Sequence, residues 1–234
     1  MENRLSDRAD AGFTLATEAY GRLRADILSG AIAPGARLLI RDLCLRLGIG
    51  LSPMREALNR LAAQGFVAQS DQRGFTSAPL DLADLTDLTL ARAAVNEAAL
   101  RDAIAHGTEI WEETLLLAHH RLARVPRGPG ETSPDWEERH KAFHDALLSG
   151  CRSGRLRLYC EQLFIMCDRY RRVSRIAAGP RDVAAEHAAI MQAALARDAD
   201  NAVSLLEEHV QRTEALVRAA LGETLEPRDD VITT

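Results

Sequence analysis

Hydrophobic positions along the chain follow a helical period almost everywhere. In the N-terminal third they predict three short helices, over 16–29, over 40–47 and from Ser52 onward. From position 79 the apolar residues again recur at three- and four-residue steps, which predicts a run of longer helices. These fall near 84–106, 108–124, 134–149, 153–176, 181–197 and 200–221. The helical period breaks where residues 66–69 and 75–77 flank a polar turn, and this pattern predicts a β-hairpin.

The third short helix separates its apolar and polar residues onto opposite faces. Its apolar face comprises Met54, Ala57, Leu58 and Leu61. Arg55 and Asn59 fall outside that face. Ser52 is predicted to cap the first turn, and Pro53 is predicted to occupy the first helical position, where its missing N–H costs no hydrogen bond. Because a glycine turn over 48–50 precedes this helix and a hairpin follows it, the pattern predicts a winged helix-turn-helix.

Charge and side-chain type indicate how this domain would contact DNA. Residues 1–78 contain ten Arg and eight Asp or Glu, which gives them a net charge of +2. Because the whole chain has a net charge of −5, the remaining residues have a net charge of −7. Such a weakly basic domain attracts phosphate weakly, and a homodimer on a near-palindromic duplex is therefore expected. Arg55 and Asn59 suit bidentate contacts to guanine and adenine, whereas Arg22 and Arg24 are more simply solvated surface charges. The predicted DNA-contacting residues are Arg37, Arg41, Leu51, Ser52, Arg55, Asn59 and Arg73.

These residues resemble the GntR family of bacterial transcription regulators. The matching positions are Leu28, Gly30, Pro34, Gly35, Leu38, Leu47, Gly48, Ile49, Pro53, Met54, Arg55, Glu56, Ala57, Leu58, Arg60, Leu61, Gly65, Phe66 and Val67. Gly50 stands where the family usually has Ser, and Leu51 stands where it has an Arg that contacts DNA. The operator is therefore expected to differ from those of better-known relatives. The alternative is that this segment is an ordinary helical hairpin in a core, because short helix-turn-helix matches also arise by chance. The predicted wing and the length of the match argue against that alternative.

Length and composition predict a second domain with its own core. The chain has 234 residues, of which 47% are hydrophobic, and we predict domains over 16–78 and 79–222 between flexible tails over 1–15 and 223–234. No apolar run approaches the roughly 18 residues that span a bilayer, which predicts a cytoplasmic protein without a membrane partner. The cysteines form no CxxC pair and are predicted to be reduced, buried thiols. They are Cys44, Cys151, Cys160 and Cys167.

Four histidines in the helical domain have spacings that bring their side chains together. His140 and His144 are four residues apart and share one helix face. His187 lies about ten residues before its helix ends near Arg197, and His209 lies about nine residues after the next helix begins, beyond the turn at 198–201. On antiparallel helices both are therefore roughly 14–15 Å from the turn and level with each other. We predict that the four imidazoles bind a divalent transition metal, zinc first, with nickel, iron or copper as alternatives. We interpret His106, His119 and His120 as ordinary hydrogen-bonded core histidines with no role in metal binding.

The C-terminal two thirds resemble the FCD effector domain of the FadR-type GntR regulators. That domain is an all-helical bundle in which many members use an Asp and three His to hold a metal beneath a small carboxylic acid. The motifs that carry the resemblance are Asp84-Leu85 leading to Arg92, His140 to His144, Glu186-His187 and Glu208-His209. The resemblance implies that His144, His187 and His209 are metal ligands, that His140 replaces the Asp, and that Asn96 stands where Glu is common. The implied fold is mainly α, with six to seven helices in the bundle.

The same resemblance implies an effector that is a small carboxylic acid. The combination GIGLSPMREAL, RHKAFHDALLSGC and DRYRR is more narrowly similar to carbon-starvation-type, glutarate-responsive repressors, which implies a dicarboxylate. The predicted effector-binding residues are Arg92, Asn96, Arg169 and Arg171, because an Arg can bind a carboxylate through a bidentate pair. Arg169 and Arg171 flank a predicted core stripe and could instead be solvated. That stripe comprises Leu156, Tyr159, Leu163, Met166, Tyr170 and Val173.

Two other functions use the same histidines. A regulator that senses the metal itself would need no organic effector, and its DNA affinity would change with metal alone. A metallohydrolase would need a general base, but residues 140–144, HKAFH, lack the Glu of HExxH. The acid-responsive regulator, which is not an enzyme, ranks first, the metal sensor second and the hydrolase third. The expected mechanism couples acid binding to the spacing of two recognition helices, most simply as a repressor.

Overall fold

The computed structural model describes residues 14–70, 74–126, 133–173 and 181–225. The chain divides into two compact units, Met1–Leu80 and Asp81–Thr234. The mainly helical fold with a small sheet in the first unit confirms the predicted fold class. Within the described ranges, no helix is both long enough and apolar enough to cross a membrane.

The first unit contains three helices and a three-stranded antiparallel sheet among its described residues. Its elements are α1 (Leu15–Ser29), β1 (Arg37–Leu38), α2 (Ile40–Leu47), α3 (Leu51–Ala63), β2 (Val67–Ser70) and β3 (Gly74–Ser77). The strand order is β1-β3-β2, with Leu38 opposite Phe75 and Val67 opposite Ser77. Helices α1 and α3 pack on each other. Strand β1 escaped prediction because a two-residue strand has no period to detect.

The start of α3 differs from the prediction. The helix begins at Leu51, and Gly50 in extended conformation precedes it without a side-chain cap. The Gly50 carbonyl accepts a hydrogen bond from the Met54 amide at 3.2 Å. The first turn therefore begins closer to the N-terminus than the Ser-Pro pair suggests. The predictions that Ser52 caps the helix and that Pro53 is its first residue are therefore wrong. Pro53 is tolerated because the first four amides of a helix have no partner within it.

The second unit contains six helices among its described residues. They are α4 (Leu82–His106), α5 (Glu109–Ala123), α6 (Pro134–Leu148), α7 (Gly154–Val173), α8 (Val183–Leu195) and α9 (Ala199–Leu225). Helix α4 packs against α6, α7 and α9, and α8 packs against α5 and α9. The predicted end of the fourth of these helices, at 176, lies outside the described residues, and α9 continues past its predicted end at 221. This arrangement encloses the inner faces of α6, α8 and α9.

Helix α7 buries only part of the predicted stripe: Tyr170 is 2% exposed and Leu156 packs against the core, as predicted, but other buried positions differ. Tyr159 is 48% exposed, whereas Cys160 and Phe164 are buried. Arg169 is 4% exposed, and the side chain of Arg171 is 10% exposed. The prediction that Tyr159 belongs to the core is wrong, and the alternative that both arginines are solvated is also wrong. A hydrophobic period treats charged residues as exposed, and it therefore misses a face that is buried because its charges are paired.

The cysteines are all free thiols. Cys151 and Cys160 are buried, as predicted, but Cys44 and Cys167 are only half-buried. Burial raises the pKa of the Cys160 thiol to about 11, so this thiol is protonated and unreactive at neutral pH. No cysteine belongs to either group of potential metal ligands among the described residues.

Candidate metal centre and DNA-binding face

The four predicted histidines lie together in the interior of the second unit. Helix α6 supplies His140 and His144, α8 supplies His187, and α9 supplies His209. The Nε2 atoms of His140 and His144 are 3.2 Å apart, and the ring centroids of His187 and His209 are 4.7 Å apart. One nitrogen atom from each ring lies within 4.8 Å of the others. The spacing argument thus brought the correct side chains together.

Burial keeps these four imidazoles neutral. It lowers the pKa of each one below its ordinary value, and the neighbouring imidazoles and cations of the cluster lower the pKa values of His140, His144 and His187 further. A neutral imidazole has a free lone pair, which is the form that binds a transition metal. The cluster therefore presents metal-binding nitrogens at neutral pH without first losing protons.

Two nitrogens of the cluster have unmet hydrogen-bonding capacity. His140 Nδ1 and His187 Nε2 are buried and have no hydrogen-bond partner among the described residues. Burying a polar atom without a partner costs about 1–3 kcal/mol. Coordination would remove that cost for a nitrogen that faces the ion. The residues present therefore fit a bound transition metal.

A carboxylate orients one of the four rings. His209 Nδ1 lies 2.8 Å from Glu186 Oε2, so the ring donates to the carboxylate and leaves Nε2 free to coordinate an ion. Arg181 forms an ion pair with Glu186 and also donates to the His209 carbonyl at 2.8 Å. Burial alone would raise the pKa of Glu186, but hydrogen bonds from Arg181 and His209 outweigh it and hold the pKa well below its ordinary value. Sequence reasoning quoted Glu186 only as part of a motif and missed Arg181.

A second group, which includes His140, has the residue types of a metal site, but its carboxylates already pair with arginine side chains. Glu137, His140 and Asp168 place ligand atoms within 4.8 Å of one another. However, Arg171 forms ion pairs with both Glu137 and Asp168, and Arg172 Nε lies 2.5 Å from Asp168 Oδ2. The two guanidinium groups balance the two carboxylates, so this group is a buried ion-pair cluster. Arg171, a predicted effector ligand, therefore already has carboxylate partners.

Arg92 is the predicted effector residue that the structure leaves without a counter-charge. It is 7% exposed, and its guanidinium carbon lies 5.0 Å from the centroid of the Phe164 ring. Among the described residues it forms no ion pair, and its Nε atom has no hydrogen-bond partner. Arg92 lies close enough to Cys167 to oppose the rise that burial causes in the pKa of that thiol. A buried cation without an anionic partner is energetically unfavourable.

Two cavities meet at Arg92. A narrow one of about 50 Å³ reaches His140 and His209, and Arg171 and Arg181 also line it. A larger one of about 430 Å³ reaches His144 and has Asn96 in its wall. Its other walls come from apolar residues, such as Leu147, Leu158 and Phe164, and from the charged residues Asp145, Arg157 and Glu161. Arg169, although buried, lines neither of these two cavities, and burial lowers the pKa of its guanidinium group.

The first unit presents a polar face on α3 that faces solvent. Leu51, Ser52, Arg55 and Asn59 are all exposed, as are Arg37 and Arg41. Arg73 lies outside the described residues. Arg60 behaves differently from Arg55, because it donates to the Thr17 hydroxyl at 3.3 Å and its guanidinium carbon lies 4.3 Å from the Tyr20 ring centroid. Arg60 therefore ties α3 to α1, and Arg55 remains available for a ligand.

The remaining two candidate arginines of α1 have partners in the first unit. Arg22 forms an exposed ion pair with Glu18 at 2.7 Å. The guanidinium carbon of Arg24 lies 5.8 Å from the centroid of the Phe66 ring. These contacts agree with the simpler interpretation of both residues as surface charges.

Comparison with known proteins assigns both units. The family model described as "Bacterial regulatory proteins, gntR family" matches residues 15–76, and the FCD domain model matches residues 87–212. The HTH-type transcriptional regulator BphR of Paraburkholderia xenovorans is 37% identical over 85% of this chain and 83% of its own length. The HTH-type transcriptional repressor GlaR of Escherichia coli is 30% identical over 88% of this chain and 96% of its own.

Solved structures give the same fold. The E. coli protein McbR/YncC superposes with a TM-score of 0.73 at 20% identity, covering 90% of this chain and all of that one. A GntR-type protein from Rhodococcus sp. RHA1 superposes with a TM-score of 0.67 at 27% identity, covering 88% of this chain and 98% of that one.

Proposed function

The chain belongs to the GntR family of bacterial transcription regulators and carries an FCD domain, and from this premise we propose that a small carboxylic acid, bound beside a metal ion in the second unit, controls its affinity for DNA. A relative of similar length, GlaR, is named a repressor. We propose the same sign of regulation here, with repression relieved by the acid.

Arg92 carries the proposal for an anionic effector. Its guanidinium group is buried next to the histidine cluster and has no carboxylate partner in the described part of the chain. Arg171, which is also strongly buried, differs in that it pairs with the carboxylates of Glu137 and Asp168. A carboxylate at Arg92 would supply the missing charge through a charge-assisted hydrogen bond. Asn96 in the wall of the larger cavity offers a second polar contact to such a ligand.

The four histidines are the proposed metal ligands. His140, His144, His187 and His209 are all neutral imidazoles, so they leave the full positive charge of a divalent ion uncompensated. A bound transition metal would therefore supply a Lewis-acid centre that attracts a carboxylate. Together with Arg92 it would make this interior strongly selective for anions. Zinc suits a four-nitrogen site best, and nickel, iron and copper share the preference for imidazole.

The effect on DNA requires two conformational states with different affinities for the acid. We propose a homodimer that places two α3 helices about one turn of duplex apart on a near-palindromic operator. An acid that binds more tightly to the state with misplaced helices would reduce operator affinity by its difference in affinity for the two states. The carboxylate would reach helices α4, α6, α8 and α9 at once, since these helices supply Arg92 and the four histidines.

Metal content and acid binding together test this function. Metal should be quantified by mass spectrometry on the purified protein, and thermal stability should be followed with a panel of mono- and dicarboxylic acids, with and without chelator. Near-stoichiometric metal and a stabilisation by one class of acid that chelator removes would support the proposal. DNA affinity that responds to metal but to no acid would favour the metal sensor. Absence of both responses would contradict both alternatives.

Replacing Arg92 by methionine should weaken acid binding while leaving the acid-free protein at least as stable. The substitution removes a buried charge that lacks an internal partner, which is neutral or stabilising in the free protein. It also removes the counter-charge of the acid, and we expect affinity to fall about 30-fold or more by calorimetry. Arg101→Met on the same helix is the matched control, because Arg101 is partly exposed and pairs with Glu97 and Asp200. Loss of stability without loss of acid binding would contradict the role of Arg92.

Replacing Glu186 by glutamine should weaken metal binding. The neutral amide binds the His209 ring less strongly than the carboxylate does, and changes of this kind cost about 10–100-fold in metal affinity. Glu208→Gln on α9 is the matched control, because Glu208 is exposed and pairs only with Arg212 among the described residues. Competition with a coloured chelator measures both affinities. Equal affinities for the two variants would show that Glu186 does not support a metal ligand.

A further inference from the structure

The exposed face of α3 begins with a large apolar side chain. Leu51 is the first residue of the helix and is 53% exposed. Arg55 and Asn59 follow at four-residue steps, so the three side chains form one row along the helix. The buried residues Met54 and Leu58 lie on the neighbouring face, against the rest of the unit, whereas Leu51 lies in the first turn at the edge of that face and is exposed to solvent. Leu51 is therefore not a core residue that happens to be near the surface.

The position of Leu51, more than its exposure, indicates a role. Isolated exposed leucines are common, and Leu45 on α2 is more exposed still, at 83%. However, the N-terminal residues of the second helix of a helix-turn-helix are the ones that reach base edges in the major groove. A leucine has no hydrogen-bonding group for a phosphate or for a polar base edge. The only apolar group that a base pair presents in the major groove is the 5-methyl group of thymine.

We propose that Leu51 contacts the 5-methyl group of one thymine in each operator half-site and thereby sets the sequence preference at that position. The proposal rests on the DNA-binding function of the family. Residues four apart on a helix are separated by about 6 Å, close to the rise of two base pairs. The thymine therefore lies within about two base pairs of the base that Arg55 contacts. In this arrangement Leu51 recognises shape and apolar surface, whereas Arg55 recognises a hydrogen-bonding pattern.

Selection followed by removal of single methyl groups tests the contact. The full-length protein is first used to select duplexes from a randomised library, which defines the half-site. Each thymine of the selected half-site is then replaced by deoxyuridine, which removes only the methyl group. We expect one position to lose about fourfold in affinity in one half-site, and about fifteenfold when both half-sites are changed, as burial of one methyl group per half-site implies.

Two substitutions separate this contact from general effects. Leu51→Ala should bind thymine and deoxyuridine duplexes equally, whereas Leu45→Ala, the matched exposed leucine, should keep the full sensitivity to the methyl group. Leu51→Arg should select a different base at the same position, with guanine favoured.

The possible results test the role of Leu51 and specific DNA binding separately. No methyl-sensitive thymine, or equal sensitivity in wild type and Leu51→Ala, would overturn the role of Leu51 while leaving the regulator function intact. Failure of the wild-type protein to enrich any duplex would contradict specific DNA binding itself, and the proposal for Leu51 with it.

Discussion

Replacement of Arg55 by alanine is expected to abolish specific operator binding. Arg55 is exposed on α3 and, among the residues that the structure describes, forms no ion pair, so its guanidinium group is free to contact a base. A bidentate contact from Arg to guanine contributes about 1–3 kcal/mol, and a dimer makes the contact twice. Affinity for the selected operator should therefore fall at least about 30-fold by fluorescence anisotropy, and binding should then depend little on sequence.

The matched control for Arg55→Ala is Arg22→Ala. Both are exposed helical arginines of the first unit, but Arg22 lies on α1 and pairs with Glu18. Its loss should leave sequence preference unchanged and reduce binding only modestly, as loss of a surface charge does. Metal content should be the same in both variants and in the wild type. A variant Arg55→Ala that still prefers the selected operator would show that another side chain recognises the sequence.

The DNA-binding half was predictable because its pattern depends on local rules. Gly30 and Gly48 both adopt positive φ, 79° and 66°, and end the helices before them as the sequence suggested. The apolar face of α3 matched the predicted one. The helix start did not, because the sequence offered a serine as a cap and the chain instead began the helix at Leu51, after Gly50. Two competing starts two residues apart differ by too little energy for sequence reasoning to separate them.

The histidine cluster was predictable for a different reason. The regular rise of a helix fixes how far His187 and His209 lie from the turn between their helices, and their ring centroids are 4.7 Å apart. The same reasoning gave no access to Arg181, because that residue precedes α8 and lies outside any regular element. The same reasoning also could not predict that Arg169 and Arg171 are buried. Their burial depends on partners in other parts of the chain, such as Glu137, which no local pattern connects to α7.

The structure brings together only some of the residues that the sequence proposed for effector binding. Arg92 and Asn96 both border the larger cavity, as one effector site requires. Arg171 is instead held by Glu137 and Asp168, and Arg169 lies apart from both cavities at Arg92. Sequence reasoning put Arg92 first among three arginines, with Arg169 or Arg171 following, and added the uncharged Asn96 from the family resemblance. Of the three arginines, Arg92 is the one that borders both of these cavities, and among the described residues it forms no ion pair.

Replacement of His187 by alanine is expected to remove the bound metal and the response to acid together. His187 is 2% exposed at the centre of the cluster, and its Nε2 atom has no hydrogen-bond partner among the described residues. Three imidazoles would remain, and metal affinity should fall by several orders of magnitude because one of four direct ligands is lost. Mass spectrometry should find little metal in the purified variant, and the acid that stabilises the wild type should no longer do so.

The readouts for His187 must separate loss of metal from loss of folding. Removing a buried ring leaves a cavity, so His187→Gln, which keeps more of the volume, should accompany His187→Ala. The matched control is His120→Ala on α5. The interpretation of His120 as a core histidine is wrong, because its side chain is exposed, and the variant should keep both metal and acid response. In the absence of acid, each variant should still bind the operator, because the first unit has its own core. If both His187 variants retain metal and still respond to acid, the four-histidine site is wrong, and Arg92 must bind its anion without a metal.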